Sequence, residues 1–233
     1  MPKHGHLRVT DNALEVWEVM TSPLRILITG FGAFPGAPFN PTQPLVARLA
    51  ALRRPAFLDV ELIDHVFPVT YAAIDDQLPN LLARHRPHAM LMFGLATRTP
   101  YLRIETQARN ALTRLWPDAA GTTRRNGTIV RDTGALSFGP HTARLCRAAQ
   151  ATGIDARLSR DAGSYLCNYL SWRALEATRQ PDGPHFAAFV HVPTVARDPA
   201  HRRGGRMTFE ELADAGEALL LQIVAETRAA CRS

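Results

Sequence analysis

The chain has 233 residues, 46% hydrophobic and 21% charged, with 27 basic against 21 acidic side chains and a net charge of +6. That apolar content with so modest a charge excludes general disorder, and no apolar run approaches the roughly 18 residues of a membrane span. The polar, histidine-bearing Met1–Thr10 resembles no secretory signal, so a cytosolic, membrane-free protein is expected.

All basic residues except Lys3 are arginine, and they are spread over nearly every segment. The densest group, Arg197, Arg202, Arg203 and Arg206, has no interleaved aromatics and no reading helix, so no nucleic-acid partner is expected. It reads as a solvated basic loop or, alternatively, as a flap favouring substrates with acidic residues.

Residues 1–23 read as an N-terminal extension, with a short amphipathic helix over Ala13–Met20 that stops at Ser22-Pro23. Residues 24–233 read as one α/β domain. The apolar run Leu24–Thr29 predicts a buried strand. Helical spacing of Leu45, Val46, Leu49 and Leu52 predicts a helix over Thr42–Arg53, and Val60–Val69 reads as a second strand. A helix over Tyr71–Arg84 and a buried strand over His88–Gly94 follow.

Residues 95–140 are irregular, with a strand predicted over Leu102–Ala108. Beyond them come a helix (His141–Ala151), a strand (Asp155–Ser159), a helix (Tyr165–Thr178), a strand (Phe186–Val192) and a long terminal helix (Met207–Arg228). Alternating strands and helices imply a mostly parallel sheet covered on both faces, with function gathered at the carboxyl ends of its strands.

Four features are candidates to carry chemistry. The Gly30-Phe31-Gly32-Ala33-Phe34-Pro35-Gly36 loop roughly imitates a dinucleotide fingerprint. Its spacing is one residue too long, however, and Pro35 removes an amide donor from a phosphate cradle. Phe31 and Phe34 suit a small apolar pocket for a flat group, or equally the core. Cys167 lies in the junction Asp161–Asn168, at the first turn of a helix, where the helix dipole would lower its pKa and free amides would face an oxyanion. A buried structural cysteine is the plainer alternative. Cys146 and Cys231 lack such a turn and read as structural, and three scattered cysteines make neither a disulfide framework nor a zinc site.

His191 closes a buried strand, where a cysteine nucleophile's base would lie, though alone it reads more readily as a hydrogen-bonded core residue. Glu105, a lone acid among arginines, reads as a salt-bridge partner or as the residue that orients His191.

Three segments in order, ILITGFGAF..APFNPT at 26–42, AGSYLCNYL at 162–170 and FVHVP at 189–193, resemble the pyroglutamyl-peptidase I (pyrrolidone-carboxylate peptidase) family of cysteine exopeptidases. The resemblance runs from Ile26 to about Ala229. It implies a single-domain α/β/α sandwich with a twisted, mostly parallel (mixed) sheet, and 24–233 as the catalytic domain.

The resemblance further implies Cys167 as nucleophile, His191 as base and Glu105 as its orienting acid, with Phe31, Phe34, Asn40 and Leu166 around a pyroglutamyl ring. It implies peptide substrates with N-terminal pyroglutamate, no metal, no cofactor and a homo-oligomer, dimer or tetramer. Departures fall on the substrate side. Leu95–Thr99 replaces a Gly-Gly-Arg-type segment, Thr106 stands in place of the arginine after the glutamate, and Ala33 and Pro35 replace the usual residues around the second phenylalanine. Two other readings remain: a divergent thiol amidohydrolase of the same fold acting on another cyclic or acylated amine, and a non-catalytic small-molecule binding protein on this scaffold.

Overall fold

A computed structural model describes residues 22–196 and 206–232. The elements, in order, are β1 (Leu24–Phe31), α1 (Thr42–Ala50), β2 (Val60–Phe67), α2 (Tyr71–His85), β3 (Ala89–Leu95), β4 (Leu102–Glu105), β5 (Gln107–Ala108), β6 (Leu136–Ser137), α3 (His141–Gln150), β7 (Ala156–Ser159), α4 (Leu166–Ala177), β8 (Phe186–Val192) and α5 (Phe209–Ala230). Six strands form one sheet in the order β2-β1-β3-β8-β4-β7. All neighbours are parallel except β4 and β8, so the sheet is mixed, as expected. No helix among the described residues is long and apolar enough to cross a membrane.

The two faces of the sheet follow from the period-two alternation of a strand. Ile26 and Ile28, Leu91 and Phe93, and Val190 and Val192 turn to one side, into a core shared with α1, α3 and α5. Leu27, Met90, Met92 and Phe189 turn to the other, against α2 and α4. Both faces are covered, which is why the central strands read as unbroken apolar runs. Where α5 crosses α1, Gly216 permits the approach: a Cβ there would lie 3.1 Å from Leu45 and 3.3 Å from Leu49.

Helix ends are secured locally. The Thr70 hydroxyl accepts from the Ala73 amide at 3.2 Å to cap α2, and buried Asp118 accepts from the Tyr71 amide at 3.0 Å. A capping box of Thr208 and Glu211 begins α5.

Several expected bounds shift. The first strand extends to Phe31, because Gly30 continues the pairing with β2. The strand expected over Leu102–Ala108 breaks at Thr106. Its amide and hydroxyl both bond to the Ser159 carbonyl, while Gln107–Ala108 leaves for a separate two-stranded pairing with β6. The terminal helix lies two residues later at both ends than expected. Ala13–Met20, Arg197, Arg202 and Arg203 lie outside the described residues, and Arg206 is exposed.

At Gly30, β1 closely meets the start of α1: a Cβ there would come within 2.9 Å of the Thr42 carbonyl oxygen. Backbone must move to admit it, so Gly30→Ala is expected to destabilise the fold by about 1–3 kcal/mol, measured by urea unfolding.

Candidate active site

The same alternation that builds the core selects the residues of the site. On β8, Val190 and Val192 face α1, α3 and α5, so His191 between them faces the α2 and α4 side. On β4, Leu102 and Ile104 belong to the first core, so Arg103 and Glu105 project to the opposite face. Arg103 pairs with His191 across the antiparallel β4–β8 ladder, and Gly94 of β3 pairs with His191 from the other side.

His191 Nδ1 lies 2.7 Å from Oε1 of Glu105. Glu105 is fully buried and His191 is 4% exposed. Arg103 Nε lies 3.4 Å from the same oxygen. With the carboxylate ionised, the short bond places a proton on Nδ1 and leaves Nε2 as the basic nitrogen. The ring packs against Phe189, centroids 5.0 Å apart in an edge-on arrangement. Burial pulls the imidazole pKa below its ordinary 6.5, outweighing the upward pull of Glu105. A neutral imidazole is the resting form near pH 7.

Cys167 is the second residue of α4. Left-handed backbone at Gly163 (φ 81°) turns the chain toward that helix, and the Gly163 amide donates to Asp161 at 2.9 Å. No side chain caps α4, so its first-turn amides are free of a competing carboxylate or hydroxyl. Sulfur sits directly over β3: a Cβ on Gly94 would lie 2.7 Å from Cys167 Sγ and 2.7 Å from Phe189 Cζ. Cys167 thus stands above the strand position paired with His191.

The expected lowering of the thiol pKa is corrected. Burial pushes Cys167 up to about 12, and the nearby Glu105 charge adds to it, against smaller downward pulls from Arg103 and from the thiol's own backbone amide. Desolvation of a thiolate outweighs the roughly half-charge of a helix terminus. At rest the thiol is protonated.

Phe31 is 3% exposed at the end of β1, its ring tilted against Phe67 at 6.2 Å. Phe34 is half-buried on a tight hairpin in which its backbone exchanges two hydrogen bonds with Ala37, at 3.1 and 2.8 Å. Both pack in the α2–α4 core, as do buried Leu166 and, at its margin, Cys167. Asn40 serves its own loop. It donates to the Gly32 carbonyl at 3.1 Å and accepts from the Thr42 amide and hydroxyl at 3.1 and 2.9 Å. That network fixes the Phe31–Phe34 turn onto the start of α1. Among the described residues, no group of three or more His, Cys, Asp or Glu is placed to hold a metal ion.

The sequence profile of pyroglutamyl peptidases matches residues 24–224. The chain belongs to that family. A pyrrolidone-carboxylate peptidase of Thermococcus onnurineus is 27% identical over 198 residues, covering 84% of this chain and 97% of the relative. That of Deinococcus radiodurans is 31% identical over 173 residues, 73% and 78% of the two chains. A solved structure of a variant pyrrolidone carboxyl peptidase from Pyrococcus furiosus superposes with a TM-score of 0.77 at 25% identity, over 87% of this chain and 99% of that one. The pyroglutamyl peptidase I of Bacillus amyloliquefaciens shares the fold, with a TM-score of 0.75.

Three residues beside the candidate site escaped the sequence reading. Gly94 showed only as the glycine that stops a strand; its lack of a side chain is what admits the Cys167 sulfur. Arg103 was one arginine among many. Asn168, fully buried, accepts from the Arg109 amide at 2.8 Å and donates to the Arg109 and Ala111 carbonyls at 2.7 and 3.0 Å. It binds the loop after β5 to the first turn of α4. Its neighbour in sequence, Cys167, was the available signal, since a buried amide beside a helix start needs partners.

A side chain at position 94 must displace sulfur, the Phe189 ring or both. Gly94→Ala is expected to cut the rate of Cys167 alkylation at pH 7.5 at least tenfold, with alkylation of exposed Cys231 unchanged as the internal reference.

Proposed function

We propose that the protein is a cysteine exopeptidase that removes N-terminal pyroglutamate, with Cys167 as nucleophile, His191 as base and Glu105 as the acid that orients the imidazole. One observation carries this reading: the buried 2.7 Å His191–Glu105 bond on the face where Cys167 Sγ overlies the strand partner of His191.

His191 Nε2 accepts the Cys167 proton as sulfur attacks the pyroglutamyl carbonyl. The negative oxygen that forms is stabilised by amides at the start of α4, the Cys167 amide turning from its own thiol to the new oxygen. When the C–N bond breaks, the imidazolium returns the proton to the departing amine. His191 then takes a proton from water, whose oxygen attacks the thioester and releases pyroglutamate and the thiol. The resting neutral pair suits this sequence, because the thiol loses its proton only as the imidazole receives it. Each proton transfer has its own acid or base, so the reaction needs neither metal nor cofactor.

Pyroglutamate lacks the charged amine that aminopeptidases grip, so recognition falls to the ring and its lactam. Phe34, half-buried on its hairpin, offers a face to a flat ring, with buried Phe31 and Leu166 as the apolar wall behind it. Asn40 acts by holding that turn in place.

Hydrolysis of a chromogenic pyroglutamyl amide tests the reading. Turnover is expected in the wild type and its loss in Cys167→Ser, while Phe34→Ala is expected to raise KM more than it lowers kcat. No turnover, with Cys167 alkylation still dependent on His191, would point to a thiol amidohydrolase of another substrate. Cys167 that alkylates no faster than Cys146 would sink the enzyme reading altogether.

The pH profile gives a second test. The base is active only when unprotonated, and burial lowers the His191 pKa, so activity falls as pH drops through a value below 6.5. The acid limb of kcat/KM is therefore expected below pH 6.5, and a limb above pH 7 would contradict the assignment.

A further inference from the structure

Arg103 is the described cation built into the wall behind His191. It lies on β4 two residues before Glu105, on the same face, and is the register partner of His191. Its Nε stands 3.4 Å from Oε1 of Glu105, the oxygen that also accepts from His191 at 2.7 Å. The Arg103 side chain is 22% exposed and that of Glu105 is not exposed at all.

A carboxylate buried beside an imidazole on its own favours the imidazolium, which has no lone pair for a thiol proton. A guanidinium on the same oxygen changes the balance. Arg103 and Glu105 then cancel, and the adjacent imidazole remains neutral without leaving an unpaired charge in the interior. Arginine suits the task, since it stays charged at all working pH values.

We propose that Arg103 is a positioning residue of this site, which holds Glu105 as the anion that orients His191 while keeping the imidazole unprotonated and ready to act as base. The assignment rests on the reading of His191 as base to Cys167. Among the described residues, the charged and titratable groups bearing on His191 are Glu105 and Arg103 on β4, Asp161 before α4, and the Cys167 thiol on α4. Asp161 is engaged by Arg109 at 2.9 Å, so Arg103 is the cation in contact with the Glu105 carboxylate. Burial remains the largest influence on the imidazole, with Arg103 pulling in the same direction and Glu105 opposing it.

Proton NMR titration of the His191 ring in the full chain, as wild type, Arg103→Met and Arg103→Lys, tests the assignment without requiring turnover. Met keeps much of the apolar stem and removes the charge, and Lys restores a charge. The ring is expected to titrate below pH 6.5 in the wild type, roughly one unit higher in R103M, and close to wild type in R103K. The acid limb of kcat/KM is expected to move with it, with kcat in R103M falling at pH 6 more than at pH 8. An unmoved ring in folded R103M overturns the proposal. So does R103K displaced as far as R103M, which would make the residue a matter of shape. Should R103M fail to fold, Arg103→Gln makes the same comparison. A chain inactive on pyroglutamyl amides whose ring nevertheless shifts in R103M would refute the peptidase reading and leave the charge role of Arg103 standing.

Discussion

The hydrogen bond between His191 and Glu105 constrains everything around it. A carboxylate with no solvent exposure costs several kcal/mol in desolvation, roughly, unless partners on neighbouring elements face it. Here the partners come from β8 and from β4 itself, the one antiparallel pair in an otherwise parallel sheet. Reversal of β4 brings Arg103 opposite His191 and sets Glu105 further along the same face. The bond also fixes which imidazole nitrogen carries hydrogen and which is free.

Strand alternation then divides the labour of the sheet. One face is given over to packing, with α1, α3 and α5 against isoleucine, leucine and valine side chains. On the other, the ends of β3, β4 and β8 contribute a glycine, an arginine–glutamate pair and a histidine, and α4 delivers the cysteine above them. The small residue is as necessary as the polar ones. A sulfur this close to a strand has room only over a position without a Cβ. Asn168 and the Gly163 turn hold the start of α4, so the height of Cys167 above the sheet is set by hydrogen bonds between side chains and backbone.

Much of this was legible in the chain. Unbroken apolar runs ending at Gly30 and Gly94 marked the buried strands, and helical spacing marked the helices between them. A cysteine at a turn–helix junction and a histidine closing a strand stood out because such ends gather in one place in this class of sheet. The break of β4 at Thr106 was not legible, since it depends on hydrogen bonds to Ser159, 53 residues away. Nor was the protonation state of Cys167. Position at a helix start argues for an acidic thiol, but burial argues the other way and is known only when the neighbours are in place.

The sequence alone therefore determined the layered α/β class, the candidate reactive side chains and the family to which they point, because periodicity and local motifs are written in consecutive residues. Tertiary structure decided the rest: that Glu105 turns to His191, that Arg103 stands 3.4 Å from the same oxygen, that Gly94 makes room for sulfur, and that thiol and imidazole rest neutral. Each depends on distance and desolvation between residues far apart in the chain, quantities that exist only once the sheet has closed around them.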